Sequence, residues 1–346
     1  MDQMIKELYS KHILITGASG LICSAFIDSL MRYNIWQKAN IKIYAVSRNE
    51  EYARKRFEAY WENPLFTFIR HDVIEPLAMD VPLDYIIHGA SNASPMRYAF
   101  DPVGTMKSNL WGVANLLELV MEKGGRLLYI SSGEVYGDGD GTDFMETYSG
   151  YVDCLNPRAC YPSSKRASET LCISYKEQYG VDVVIARPCH IYGFDIERDD
   201  RAFAQFLRKV KAGEDVIMKS EGQQVRSYCY VEDCVSALFY ILLRGVNGGA
   251  YNIANRESVV SIKDLAEMIA RVGGKTVVID FPSNQESKGY SVVQRAVLDP
   301  SKLENLGWKP NVFMEEGIKR ILGMCSMTKF LSFLMIIDIL AKMVTI

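Results

Sequence analysis

The first half of the chain alternates two hydrophobic periodicities. Short runs of consecutive apolar residues lie at His12–Thr16, Ile41–Val46, Leu65–Ile69, Leu83–His88, Arg126–Ser131 and Val181–Ala186. Between them are stretches whose apolar positions recur every three or four residues, at Gly20–Tyr33, Glu50–Trp61, Val103–Glu122 and Cys160–Tyr179. Unbroken apolar runs predict strands buried on both faces, and the three-to-four spacing predicts amphipathic helices. Strand and helix in strict alternation predict an α/β fold: a doubly wound parallel sheet, Rossmann-like, with helices on both sides.

Beyond Arg187 the pattern loosens. Helices are expected at Ala202–Ala212, Val231–Leu243, Ile262–Val272, Lys302–Trp308 and Glu315–Leu322, with Ser261 as the cap of the third. The organisation this predicts is a dinucleotide-binding domain over residues 1–187, joined by 231–245. A smaller C-terminal substrate-binding region covers 188–325, and an apolar tail covers 326–346. That tail is interrupted by Asp338 and Lys342 and falls short of the roughly 20 residues of a spanning helix, so docking on protein is expected and no transmembrane span.

Composition narrows the class. Of 346 residues, 49% are hydrophobic and 23% charged, with a formal net charge of -3, which is ordinary for a globular protein and gives no reason to expect a nucleic-acid partner. The eight cysteines (Cys23, Cys154, Cys160, Cys172, Cys189, Cys229, Cys234 and Cys325) form no C-x-x-C pair, and none has zinc-ligand spacing with a histidine. Reduced thiols, no metal and, since Met1–Ser10 lacks a secretory signal, a cytoplasmic location are the expectations.

Candidate chemistry begins between the first strand and the first helix. In Thr16-Gly17-Ala18-Ser19-Gly20-Leu21-Ile22-Cys23, Gly17 and Gly20 let the backbone turn tightly and approach a pyrophosphate at a helix N-terminus. Cys23 stands where the full pattern has a third glycine. The second strand ends in Ser47-Arg48, where an acid would hold the ribose of NAD and an arginine could hold the extra phosphate of NADP, so both cofactors stay open. Asp72, after the third strand, could meet the adenine or make a turn.

Tyr161 and Lys165 lie four residues apart, on one helix face. A nearby ammonium and a cationic nicotinamide ring are expected to lower the Tyr161 pKa and make it a general base. Ser132, at a strand end, can bond the same substrate oxygen.

In combination these motifs resemble the extended short-chain dehydrogenase/reductases, specifically the nucleotide-sugar epimerase/dehydratase group. The likeness spans about Lys11 to Leu322. It rests on the glycine loop, on Ser131-Ser132-Gly133-Glu134-Val135-Tyr136-Gly137, on Tyr161 to Lys165, on Arg226-Ser227-Tyr228, and on Leu306-Gly307-Trp308-Lys309-Pro310. The resemblance implies that Gly17, Ser19, Gly20, Leu21, Ile22, Ser47, Arg48, Asp72, Val73, Ala90, Ser91, Tyr161, Lys165 and Pro188 hold the cofactor. It also implies a substrate site of Ser94, Ser132, Gly133, Glu134, His190, Arg226 and Arg295, with Ser132, Glu134, Tyr161 and Lys165 as catalytic residues. Asn109 matches a position that supports the site geometry. A homodimer through the two long helices is implied as well.

Within that group, dehydratases carry Asp-Glu where this chain has Gly133-Glu134, which weakens a dehydratase reading. UDP-xylose synthase-type decarboxylases keep the glutamate after a small residue. Their motifs are also matched by Ala90-Ser91-Asn92-Ala93-Ser94-Pro95 and Pro157-Arg158-Ala159-Cys160-Tyr161. The expectation is a nucleotide-sugar enzyme working through a C4 ketone, with C5-directed or decarboxylating chemistry favoured. The alternatives are a C4 epimerase or 4,6-dehydratase, an NADPH-dependent reductase, and a non-catalytic dinucleotide-binding protein. His190 departs from the family's asparagine; His12, His71 and His88 are expected to be structural.

Overall fold

The computed structural model describes residues 2–281 and 293–324; Cys325 and the apolar tail lie outside the described residues. Its centre is a seven-stranded sheet in the order β10-β6-β5-β4-β1-β2-β3, parallel at every pairing. The strands are β1 (His12–Thr16), β2 (Lys42–Ser47), β3 (Phe66–Arg70), β4 (Tyr85–His88), β5 (Arg126–Ile130), β6 (Asp182–Pro188) and β10 (Ala250–Ile253). Every core position of β1 from Ile13 to Thr16 is buried, as an unbroken apolar run in a two-sided sheet requires. The chain's order reverses between β1 and β4, which opens a crevice beyond their carboxyl ends.

Short α1 (Asp2–Ile5) precedes the sheet. The covering helices are α2 (Leu21–Gln37), α3 (Glu50–Arg56), α4 (Pro95–Phe100), α5 (Pro102–Lys123) and α6 (Cys160–Tyr179). Local chemistry fixes their ends. Asp101 caps α5 by accepting from the Gly104 amide at 2.9 Å, and Pro102 starts the first turn. Gly180, in the left-handed region at φ 73°, stops α6. The expected helix Glu50–Trp61 is split at Phe57, because Phe57, Tyr60 and Trp61 turn onto Phe66 and pack as an aromatic cluster.

A second layer follows β6. β7 (His190–Tyr192) and β11 (Val259–Ser261) flank β9 (Val225–Tyr230), together with β13 (Arg295–Ala296), while β8 (Val216–Met218) pairs with β12 (Val277–Ile279). α7 (Ala202–Lys211) and α9 (Ile262–Val272) cover this layer. α8 (Val231–Arg244) returns to the large sheet, stacking Phe239 on Phe26 of α2 at 4.4 Å. β10 returns too, a crossing the sequence pattern did not disclose. α10 (Ser301–Glu304) and α11 (Met314–Ile321) close the described chain. Trp308 is 1% exposed and donates its indole N–H to Ser236 of α8 at 2.9 Å, which docks the Leu306–Pro310 segment. Burial of so large a ring contributes about 2–3 kcal/mol.

Candidate active site

The glycine loop sits at the β1–β4 switch. Gly17 has φ +68°, and a Cβ there would stand 2.6 Å from the Ala90 amide nitrogen. Gly20 is the N-cap of α2, so free amides of the first turn face the crevice. Cys23 is explained by Gly89: a Cβ on Gly89 would lie 2.3 Å from the Cys23 sulfur. The glycine absent from the helix therefore has a counterpart on the facing strand, and close packing of α2 on the sheet is retained.

Around this loop the cofactor candidates divide. Ser19 and Ser47 share a 2.8 Å hydrogen bond, Leu21 and Ile22 open α2, and Ala90 follows β4 with its amide against Gly17. The Ser91 hydroxyl is buried without a hydrogen-bond partner. Arg48 is exposed and lies 3.5 Å from Asp72, whose carboxylate also accepts the Ile74 amide in a turn. Val73 is buried against the Gly112 position of α5, and Pro188 is buried at the end of β6.

Beside the crevice, Tyr161 and Lys165 occupy the first turns of α6, 5% and 2% exposed. The Lys165 ammonium donates to the Ile130 carbonyl at 2.9 Å and lies 4.9 Å from the Tyr129 ring centre and 5.9 Å from that of Tyr161. Burial pushes the Lys165 pKa down to about 7, with Glu169 pulling the other way. The expected lowering of the Tyr161 pKa is not what the protein alone produces. Burial, with Glu134 nearby, holds the phenol above its ordinary value, against the opposing effects of Ser132 and Arg201. Asn109 supports this helix by donating to Ser164 at 2.8 Å.

Ser132 caps the turn Gly133–Tyr136, accepting from the Glu134 amide at 3.1 Å. Glu134 faces the tyrosine. Burial raises its pKa, while Arg158, Tyr98, Arg226 and Arg201 act to lower it. Arg158 Nη1 is 3.7 Å from Glu134, and Arg158 Nη2 donates to the Tyr98 hydroxyl at 3.2 Å. Tyr98 in turn stacks on Tyr161 at 5.2 Å, with 15° between the rings, and donates to Glu134 at 3.4 Å. A Cβ on Gly133 would meet the Leu298 methyls at 3.1 and 3.2 Å, so a side chain there would have to press Leu298 aside by a few tenths of an ångström.

Arg226 is 7% exposed and donates to the Val293 and Gln294 carbonyls. His190 pairs in register with Tyr228, and burial, with Arg201 and Arg226 nearby, pushes its pKa down to about 3, so the ring is neutral. Two expected substrate residues are engaged elsewhere. Ser94 caps α4 and donates to Asp200 at 2.7 Å. Arg295 donates to Asp143 at 2.6 Å, and its register opposite Val225 puts it on the other face of the layer from Arg226. Tyr98, Arg158, Arg201 and Glu169 join the site without having been singled out from sequence. His88 is structural, as expected: it is buried and bonded to Thr16 at 2.7 Å.

Among the described residues no group of histidine, cysteine, aspartate and glutamate could hold a metal ion, and no helix is long and apolar enough to cross a membrane.

A glycine-cradled loop at the switch of a doubly wound sheet, with a buried tyrosine–lysine pair beside it, defines a nicotinamide-dependent oxidoreductase-type site. The chain belongs to the NAD dependent epimerase/dehydratase family, whose profile matches residues 13–254. It is an enzyme of that family. It is 34% identical over 324 residues to UDP-glucuronic acid decarboxylase 1 of Xenopus tropicalis, which covers 92% of this chain and 73% of the relative. It is 35% identical over 307 residues to UDP-glucuronic acid decarboxylase 6 of Arabidopsis thaliana, covering 88% and 86%. The fold is shared with UDP-glucuronic acid 4-epimerase from Bacillus cereus in complex with UDP-glucuronic acid and NAD (TM-score 0.76, 22% identity, 90% of this chain and 98% of that one). It is also shared with UDP-glucose 4-epimerase from Thermotoga maritima (TM-score 0.76, 23% identity, covering 93% and 100%).

Proposed function

We propose that this enzyme decarboxylates a uronic-acid nucleotide sugar, with UDP-glucuronate as substrate, through a C4 ketone. The observation that carries the reading is the convergence of Arg158, Arg201 and Arg226 on the recess that holds Glu134, next to Ser132 and Tyr161. Arg201 is paired with Asp199, so Arg158 and Arg226 are set against the single Glu134 carboxylate, and that surplus suits a substrate that brings its own carboxylate and diphosphate. The likeness to two UDP-glucuronic acid decarboxylases supports the same reading. Gly133, which carries no acid and lies tight against the Leu298 methyls, counts against elimination at C6.

The crevice fits a dinucleotide. Gly17 leaves open backbone where any Cβ would clash, the α2 N-terminus offers amides, and the buried Ser91 hydroxyl is unpaired. Gly17, Ser19, Gly20, Leu21, Ile22, Ser47, Ala90, Ser91, Tyr161, Lys165 and Pro188 would hold it. Arg48, already paired with Asp72, favours NAD over NADP. When bound, the nicotinamide would take the C4 hydride and give it back to C4 after decarboxylation, as Tyr161 returns the proton to the C4 oxygen, and would place a positive charge beside Tyr161.

Tyr161, as phenolate, takes the proton of the C4 hydroxyl while Ser132 donates a hydrogen bond to the same oxygen. The C4 ketone withdraws electrons from the neighbouring C5–carboxylate bond. Carbon dioxide leaves, and the bonding pair passes into an enolate whose oxygen Ser132 and Tyr161 stabilise. A proton must then return to C5. Glu134, held toward its protonated form by burial, is placed to give it. Arg226 and His190 orient the anionic part of the substrate.

The reading includes a substrate region formed by residues 188–325 and a homodimer through α5 and α6. It also includes a cytoplasmic location, which the free thiols of Cys23, Cys154, Cys160, Cys172, Cys189, Cys229 and Cys234 support.

Incubation of the purified enzyme with UDP-glucuronate, followed by mass spectrometry, tests the function. A product lighter by one carbon dioxide is expected. An isomer of unchanged mass would replace the reading with C4 epimerisation, and unaltered substrate would end it. Tyr161→Phe should lower turnover at least ~100-fold, the scale of a lost general base.

A further inference from the structure

One buried carboxylate lies behind the tyrosine–lysine pair and takes no part in the steps above. Glu169 is on α6, one turn beyond Lys165, and is 8% exposed. It accepts from the Ser131 hydroxyl at 2.5 Å. Arg187 grips it bidentately, Nε to Oε1 at 3.0 Å and Nη2 to Oε2 at 2.6 Å. Arg187 itself is anchored to the Tyr136 hydroxyl at 2.9 Å and the Glu146 carbonyl at 2.8 Å.

These contacts join the three elements that form the site. Ser131 directly precedes Ser132 at the end of β5. Arg187 directly precedes Pro188 at the end of β6. Lys165 shares the Glu169 face of α6 by their spacing of four. Among the described residues the Lys165 ammonium has one hydrogen bond, to the Ile130 carbonyl. The groups around it are Tyr129 from β5, Cys23 from α2, His88 from β4, and Tyr161, Glu169 and Cys172 from α6. Cys23 and Cys172 are thiols whose pKa values burial raises, and His88 is neutral, so among the described residues Glu169 is the anion beside Lys165: it shares its charge with Arg187 and is brought close because Lys165 and Glu169 bond the adjacent residues Ile130 and Ser131.

We propose that Glu169 is a positioning residue: its carboxylate, locked by Ser131 and Arg187, holds the Lys165 ammonium charged and fixes the β5 end that carries Ser132. The inference rests on the reading of Tyr161 and Lys165 as the reacting pair and assigns the group that keeps that pair in its working charge state. A buried ammonium without a counter-charge sheds its proton, and a neutral lysine no longer favours the phenolate.

The test has a readout that needs no substrate. In the full-length enzyme with isotope-labelled lysine side chains, NMR follows the Lys165 resonance, assigned by its loss in Lys165→Met, as pH is varied. Glu169→Gln is expected to lower the Lys165 titration midpoint by about one pH unit, a tenfold change in protonation. Glu169→Asp keeps the charge one methylene further away and should lower it by less. The alkaline limb of kcat/KM on UDP-glucuronate should move down in pH with the midpoint, with kcat falling and KM holding. An unchanged midpoint in Glu169→Gln overturns the proposal, since a carboxylate serving packing alone would alter melting temperature and leave Lys165 as it was. Should that variant not fold, Glu169→Asp decides by the same criterion. If the wild type leaves UDP-glucuronate untouched, the functional reading falls, while the lysine titration still decides the role of Glu169.

Discussion

Gly17 combines two demands that meet in no other residue type. Its φ of +68° is disfavoured for side chains, and its Cβ direction ends 2.6 Å from the Ala90 amide. Gly17→Ala should cost ~1–3 kcal/mol in urea unfolding, the scale of a strained left-handed residue, and the purified variant should release less dinucleotide on denaturation than the wild type. Retention of full cofactor would mean that the pyrophosphate contacts lie elsewhere. This glycine was legible because a backbone need selects it, and Tyr161 and Lys165 were legible because helical spacing pairs them. Tyr98, Arg158 and Arg201 come from separate segments, and no local spacing links them to Glu134. Glu169 was within reach, since Tyr161, Lys165 and Glu169 repeat every four residues along one helix. Ser94 and Arg295 carry the right chemistry for a substrate, but Asp200 and Asp143 hold them, and a single sequence does not show which of several carboxylates an exposed donor will find.

At the scale of elements, legibility follows length and local caps. Cys160–Tyr179, stopped by Gly180, and Ile262–Val272, started by the Ser261 cap, form as their periodicity predicts, because a long apolar stripe has one way to be buried. Strands of two or three residues, such as β7, β8, β11 and β13, are too short for any periodicity to register; pairing with β9 makes strands of β7, β11 and β13, and pairing with β12 makes one of β8. The expected helix Lys302–Trp308 closes early as α10, because the chain bends at Gly307, φ +95°, to bring Trp308 onto α8. The start of α9 offers a clean measurement. Ser261 accepts from the Asp264 amide at 3.0 Å, and Asp264 answers toward the Ser261 amide in a reciprocal cap. Ser261→Ala should reduce stability by ~1 kcal/mol in urea titration and leave turnover unchanged, because no part of that turn reaches the recess.

The whole molecule responds to acid through groups it buries uncharged. His88 is 1% exposed, hydrogen-bonded to Thr16 and stacked on the Tyr129 ring, and burial, with Lys165 nearby, pushes its pKa down to about 3 from the ordinary 6.5. The sign follows from proton counting. Between those two values the unfolded chain binds a proton at this imidazole and the folded chain does not, so folding stability rises with pH across the window. The contribution is complete above about pH 6.5 and is lost progressively as pH falls toward 3, at about 1.4 kcal/mol per pH unit. His88 stands on β4 next to Gly89, at the switch where the glycine loop closes, so acid loosens the sheet where the dinucleotide would bind. His88→Gln should remove this proton uptake. Unfolding free energies from urea titrations at pH 7, 6 and 5 should fall less steeply in the variant, the difference approaching ~1.4 kcal/mol per unit below pH 6. If wild type and variant instead lose stability in parallel, the imidazole is already protonated in the folded protein, and the burial argument at this strand end fails.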